Sequence, residues 1–260
     1  MENIIVPLDF SETSFNAAAY AVDMFANAPN ANLIFYHYYS SEDDAATAQT
    51  FMKSLQEKYS TADKKIEITI ESGSNFIDSL TAFSQIKRAY MIVMGLTGKT
   101  AMAQRFSGSN TLKMSEKNVC PVLIVPAGAS FTKINNVVIA SEMKYVEDTP
   151  ALLAVKRVLH DFKPSLHILN VDSSHYISLT TAFKEERDKM ENLLQEFKPE
   201  FYFMRLFDFH ESMNLFTRDK DIDMIIIAPK HHSFYERLFK TQHTKAMIYQ
   251  SKVPVLAVHE

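Results

Sequence analysis

The sequence predicts an α/β protein of two tandem doubly wound domains, each a five-stranded parallel sheet with helices on both faces. Three observations carry the prediction. Short apolar runs alternate with segments of helical period, the pattern of a parallel sheet covered by helices. Four apolar anchors recur at one offset of 133 residues. Three of the five glycines fall in one 14-residue window, Gly95 to Gly108, directly after the apolar run Tyr90–Met94.

The repeat sets the domain organisation. Asn3-Ile-Ile-Val-Pro-Leu-Asp9 is answered by Asn136-Val-Val-Ile-Ala-Ser-Glu142, and Leu33-Ile-Phe-Tyr-His37 by Leu166-His-Ile-Leu-Asn170. Met91-Ile-Val-Met94 maps onto Met224-Ile-Ile-Ile227, and the run Val119–Val125 onto Lys252–Val258. A duplicated domain follows, 1–128 and 134–260, with the joint in the turn-rich stretch 126–133. A length of 260 residues suits two domains of about 130 residues each.

In the first copy the strands are expected at 3–8, 32–38, 65–71, 90–94 and 121–125. Between the first two, Phe15, Ala18, Ala19, Val22, Phe25 and Ala26 recur at helical spacing behind the cap candidate Ser11, with Glu12 suited to the positive helix end. Further helices fit 43–59, 76–87 and 109–118, the second of these opening after Gly73-Ser-Asn75. The second copy supplies strands at 136–140, 165–171, 201–206, 223–228 and 253–258, and helices near 148–161, 178–197, 209–218 and 241–251.

Composition narrows the function classes. A net charge of −4 gives no general field for polyanions, so neither nucleic acid nor an anionic membrane is the expected partner. A single cysteine, Cys120, excludes an internal disulfide, and its apolar neighbours mark it as a small hydrophobe. The start lacks a basic n-region, and no apolar run approaches the length of a membrane span, which reads as cytoplasmic.

Glycine in so glycine-poor a chain marks backbone sterics, here a loop wrapped closely around a guest and feeding a helix near Ser109. An open parallel sheet binds ligands at the carboxyl ends of its strands, where the strand order reverses. Asp9, Tyr38 and Gly95 are expected past the ends of the first, second and fourth strands, and they surround one crevice if strands one and four are neighbours. A nucleotide there would set its base against backbone near Tyr38, its ribose against Asp9, and its phosphates over Gly95, Gly98, Gly108 and the following helix end. For Asp9 a helix-capping role above Ser11 stands beside the ligand role, and the two are compatible.

The spacing Gly-x2-Gly-x9-Gly-Ser resembles the ATP-binding signature of the universal stress protein family. The opening strand with Pro7 and Asp9, the strand ending in His37, the strand into Met94-Gly95 and the final Cys-Pro-Val-Leu-Ile-Val strand match in order, and the likeness runs twice through the chain. It implies a Rossmann-like fold of the adenine nucleotide alpha hydrolase type, strand order 3-2-1-4-5, paired as dimers or tandem domains. It also implies ATP, with Mg2+ or Mn2+, as cofactor. Carried over by position, Asp9 meets the ribose or metal side and Tyr38 the adenine through its backbone. Gly95, Gly98, Gly108 and Ser109 meet the phosphates, Pro7 and Met94 line the base and sugar pocket, and Asn110 and Thr111 extend the phosphate-facing helix start. The two domains are expected to pair through their last strands as an intramolecular pseudo-dimer, with a further homodimer and a regulatory protein partner left open.

The second copy departs from the pattern. Gly95 becomes Ala228, Gly98 becomes His231, Gly108 becomes Thr241, Ser109 becomes Gln242 and Asp9 becomes Glu142, so side chains occupy space that the backbone must leave to phosphate. His231, His232 and His243, set among Lys230, Arg237, Lys240 and Lys245, invite a metal or an anion hypothesis, the anion being favoured because no cysteines or paired carboxylates accompany them. His37 reads as a hydrogen-bonded structural residue. Lys99 and Arg105 are loop cations left outside the site. No Walker loop, pyrophosphatase loop or nucleophile elbow is present, so a bound nucleotide is expected to be sensed or slowly hydrolysed. A slow ATPase and a nucleotide-independent scaffold are the competing expectations.

Overall fold

The computed structural model describes residues 2–41, 45–62, 64–96, 107–141, 143, 146–147, 149–171, 180–204, 209–227 and 251–258. The chain divides into two compact units, Met1–Thr132 and Lys133–Glu260.

In the first unit the elements run β1 (Glu2–Leu8), α1 (Glu12–Met24), β2 (Ala31–Tyr39), α2 (Ala45–Tyr59), β3 (Glu67–Ser72), α3 (Phe76–Ile86), β4 (Ala89–Leu96), α4 (Ser107–Ser115) and β5 (Val122–Pro126). The strands are parallel in the order β3-β2-β1-β4-β5. Ile4, Ile5, Leu33, Ile34, Phe35, Met91 and Ile92 are wholly buried along the central three, the near-continuous apolar runs of a sheet covered on both faces.

The second unit repeats this plan with β6 (Asn136–Ala140), α5 (Pro150–Phe162), β7 (Ser165–Val171), α6 (Thr181–Leu194), β8 (Glu200–Met204), α7 (Phe209–Asp219), β9 (Met224–Ile227) and β10 (Val255–Ala257). Its order is β8-β7-β6-β9-β10. Every strand register repeats at the offset of 133: Ile4 faces Leu33 and Val137 faces Leu166, Ile4 faces Met91 and Val137 faces Met224. Ile34 faces Glu67 as His167 faces Glu200, and Ile92 faces Val122 as Ile225 faces Val255. Left-handed backbone recurs as well, at Phe10 and Met143 and at Arg88 and Asp221. All five glycines lie in the first unit, and in the second the helices end on left-handed Lys163 and Lys198 (φ 49° and 51°).

Several expected boundaries move for local reasons. β3 starts at Glu67, because Ser60 Oγ accepts the Ile66 amide and Lys64 Nζ reaches the carbonyls of Phe25 and Ala28, which occupies the preceding residues. α4 starts at Ser107, two residues early, and puts Gly108 and Ser109 inside its first turn; it ends at Ser115, where the Glu116 amide splits between Leu112 and Lys113 carbonyls. α6 closes in a 3-10 turn, Gln195–Phe197. Tyr38 and Gly95 lie within β2 and β4, which run on to Tyr39 and Leu96, and so do not stand past the strand ends as expected.

The buried stripe of α1 is also rotated from the expected one. Ser14, Ala17, Ala18, Ala21, Met24 and Phe25 are buried, while Phe15, Ala19 and Val22 are only half-buried and Ala26 is exposed. The inner face pairs small residues, Ser14, Ala17, Ala18 and Ala21, with the larger Tyr20, Met24 and Phe25 toward its C-terminal end. The helix expected at 241–251 lies outside the described residues except for Ser251. Among the described residues no helix is long and apolar enough to cross a membrane.

Candidate functional site

β1 is flanked by β2 on one side and β4 on the other, so the strand order reverses there and the carboxyl ends of these strands open a crevice. A cleft of about 200 Å³ sits at this point. Pro7 and Leu8 come from the end of β1, Tyr38 from β2, and Met94 and Gly95 from β4. Asp9, Ser11, Thr13 and Ser14 come from the β1–α1 turn, Phe76 from the start of α3, and Asn110 and Thr111 from α4.

The β1–α1 turn is tied by its hydroxyls. Ser11 is the N-cap of α1, its Oγ accepting the Ser14 amide at 3.2 Å. The Ser11 amide and hydroxyl both donate to Asp9 Oδ1, at 3.0 and 2.5 Å. With the Ser11 proton spent on the carboxylate, the contact at 3.1 Å with Thr13 Oγ1 runs from threonine to serine. Both bonds to Asp9 fall on one oxygen, which leaves Oδ2 of this exposed carboxylate to solvent or a ligand.

The other wall is set by β4. A Cβ placed on Gly95 would meet the Thr13 carbonyl oxygen at 2.2 Å, and the Gly95 carbonyl accepts the Thr111 hydroxyl at 2.9 Å. The absence of a side chain at Gly95 is therefore required by the α1 backbone, a packing reason where the sequence pattern had suggested phosphate clearance. Thr111 is buried and its hydroxyl ties α4 to β4. The apolar wall is Pro7, Met94 and Phe76, the last at the start of a helix capped by Asn75, whose Oδ1 accepts the Ile77 and Asp78 amides. Tyr38 packs edge-on to Phe76 at 5.8 Å, and its hydroxyl is buried without a hydrogen-bond partner where Gly73 leaves room for it.

Of the ten residues expected in the site, Pro7, Asp9, Tyr38, Met94, Gly95, Asn110 and Thr111 line this one cleft. Gly108 and Ser109 belong to the first turn of α4, and Gly98, like Lys99 and Arg105, lies outside the described residues. Leu8, Ser11, Thr13, Ser14 and Phe76 also line it and were not among the ten. The hydroxyl run Ser11-x-Thr13-Ser14 was a usable signal for three of them; Phe76 enters only through the fold, since nothing local sets it apart from a core aromatic. In the second unit, Glu142, Ala228, His231, Thr241, Gln242 and the rest of the histidine-rich basic segment lie outside the described residues. Among the described residues no cluster of three His, Cys, Asp or Glu side chains could hold a metal. Cys120 is partly buried, and desolvation pushes its thiol up to about 12, which keeps it protonated and unreactive.

A five-stranded parallel sheet whose cleft lies at the topological switch point places the first unit among doubly wound α/β proteins. Residues 1–126 match the model of the Universal stress protein family. A universal stress protein from Archaeoglobus fulgidus DSM 4304 shares the fold over both units, with a TM-score of 0.69, 16% identity, and coverage of 98% of this chain and 94% of that one. The cytoplasmic domain of a prokaryotic cation chloride cotransporter shares it at a TM-score of 0.56 and 11% identity, covering 99% and 95%. A universal stress protein in complex with cAMP is 23% identical over 49% of this chain and 98% of its own, with a TM-score of 0.40. No curated protein matches the sequence significantly.

Proposed function

We propose that the first unit binds ATP in this cleft and acts as a nucleotide-dependent sensor or regulator in the cytoplasmic stress response, without rapid catalysis. One observation carries the reading: at the switch point of the sheet, a carboxylate with one uncommitted oxygen, Asp9, stands between an apolar wall and the first turn of α4. The parts fit an adenine nucleotide. Pro7, Met94 and Phe76 supply the apolar surface for a base, and Asp9 Oδ2 an acceptor for ribose hydroxyls. The amides opening α4, which have no intrahelical acceptors, supply donors and a positive dipole end for phosphate. Asp9 Oδ2 would also be the carboxylate available to a Mg2+ or Mn2+ ion accompanying the phosphates. The second unit, which has no glycine, serves as partner domain or as a site for something else.

Nucleotide released by denaturing the purified full-length protein, together with calorimetric titration of ATP, ADP and cAMP in the presence of Mg2+, tests this. ATP is expected to bind most tightly. Lack of affinity for all three would reduce the first unit to a nucleotide-independent scaffold, and steady phosphate release would favour a slow ATPase.

A further inference from the structure

We infer that His37 is a positioning residue for the Asp9 carboxylate, acting through the end of β1 and the ring of Phe10, and that Asn170 holds the same post in the second unit. His37 is buried near the end of β2, with Nδ1 2.7 Å from the Leu8 carbonyl oxygen. A carbonyl only accepts, so Nδ1 carries the proton and donates. Leu8 is the residue before Asp9. On the other side of Asp9, Phe10 adopts the left-handed conformation at φ 62°, uncommon for a bulky side chain, and lays its ring on the His37 imidazole at 4.3 Å and 19°. One imidazole thus fixes both neighbours of Asp9, and the Ser11 bonds to Oδ1 set the remaining rotation.

The duplicate separates this role from simple core filling. At the offset of 133, His37 becomes Asn170, Leu8 becomes Ser141 and Phe10 becomes Met143. Asn170 Nδ2 donates to the Ser141 carbonyl at 3.0 Å, and Met143 is again left-handed at φ 51°. Imidazole and carboxamide differ in volume, shape and aromaticity. What they share here is one N–H aimed at the carbonyl two residues before a left-handed residue, that of Leu8 at the end of β1 and that of Ser141 just past β6. The donor, with the backbone geometry that it anchors, is what both halves retain.

Because the link to ligand rests on the proposed ATP site, the test carries two readouts on the full-length protein. The amide proton shift of Ser11, which reports its bond to Asp9 Oδ1, needs no nucleotide; affinity for ATP with Mg2+ needs it. In His37→Ala and His37→Leu, the latter filling the space should the alanine variant fold poorly, the Ser11 shift is expected to move upfield and ATP affinity to fall about fivefold to tenfold, the weight of one buried hydrogen bond. His37→Asn, copying the second unit, is expected to keep the wild-type shift and to bind within about twofold of wild type. An asparagine variant as impaired as alanine would overturn the inference, as would three variants indistinguishable from wild type. Wild-type protein without ATP affinity would sink the proposed function alone, and the Ser11 shift would still decide the role of His37.

Discussion

Gly95 and Thr13 meet backbone to backbone: the position that a Cβ would take on Gly95 lies 2.2 Å from the Thr13 carbonyl oxygen and 2.7 Å from its carbon. Contact with main chain cannot be relieved by a rotamer change, so a side chain at 95 forces α1 off the sheet. Gly95→Ala is expected to destabilise the protein by about 2–3 kcal/mol, the range of overpacking in a tight core. Urea unfolding followed by circular dichroism checks this, and a loss below about 0.5 kcal/mol would show that α1 shifts freely.

The same packing gives the cleft its shape, and Asp9 gives it charge. Asp9→Asn keeps an oxygen that accepts from Ser11 but removes the negative charge and the second acceptor. ATP affinity is expected to fall on the order of tenfold to a hundredfold, as for the loss of hydrogen bonds to a charged group. Melting temperature is expected to move little, because the carboxylate is exposed. Calorimetric titration beside a thermal melt separates binding from stability.

The fold was written plainly in the chain because parallel strands buried on both faces leave apolar runs that a polar surface element cannot imitate. The offset of 133 is legible for the same reason: register is kept wherever a one-residue slip would turn core side chains outward. What sequence hid is what depends on approach distance. The packing demand at Gly95 follows from how near the α1 backbone comes to the sheet, a distance that leaves no periodic trace, and the place of Phe76 in the cleft follows from where the fold sets the start of α3. The glycine signature and its packing need coincide at Gly95, so the pattern alone assigned to a ligand what Thr13 accounts for.

His167 marks a point where the two units diverge. It occupies the register position of Ile34, buried between Tyr202 and Phe216, with neither ring nitrogen hydrogen-bonded. Burial lowers its pKa from the usual 6.5; Glu200, 3.6 Å away and itself bonded to the Tyr202 hydroxyl, opposes this without outweighing it, and Lys220 adds to the lowering. The unfolded chain therefore takes up the proton first as pH falls. Stability is expected to decline as pH drops below about 6.5 and to level off once the folded histidine is protonated too. His167→Ile, copying the first unit, is expected to remove this part of the decline and to add roughly 1 kcal/mol at neutral pH by relieving an unsatisfied polar group. Urea midpoints between pH 5 and pH 8 for both proteins read it out, and parallel curves would discard the assignment.

Ser11 joins local folding to the site, and its removal should show in both. Its side chain caps α1 through the Ser14 amide and holds Asp9 through Oδ1. Loss of an N-cap costs about 1 kcal/mol, so Ser11→Ala is expected to lower stability by that amount. Ser11→Asp restores a cap acceptor but sets a second carboxylate against Asp9, so stability should return in part while ATP binding becomes weaker than in the alanine variant. The order of the three proteins therefore differs between a melt and a titration. A single order in both measurements would show that the turn contributes to binding only by keeping α1 folded.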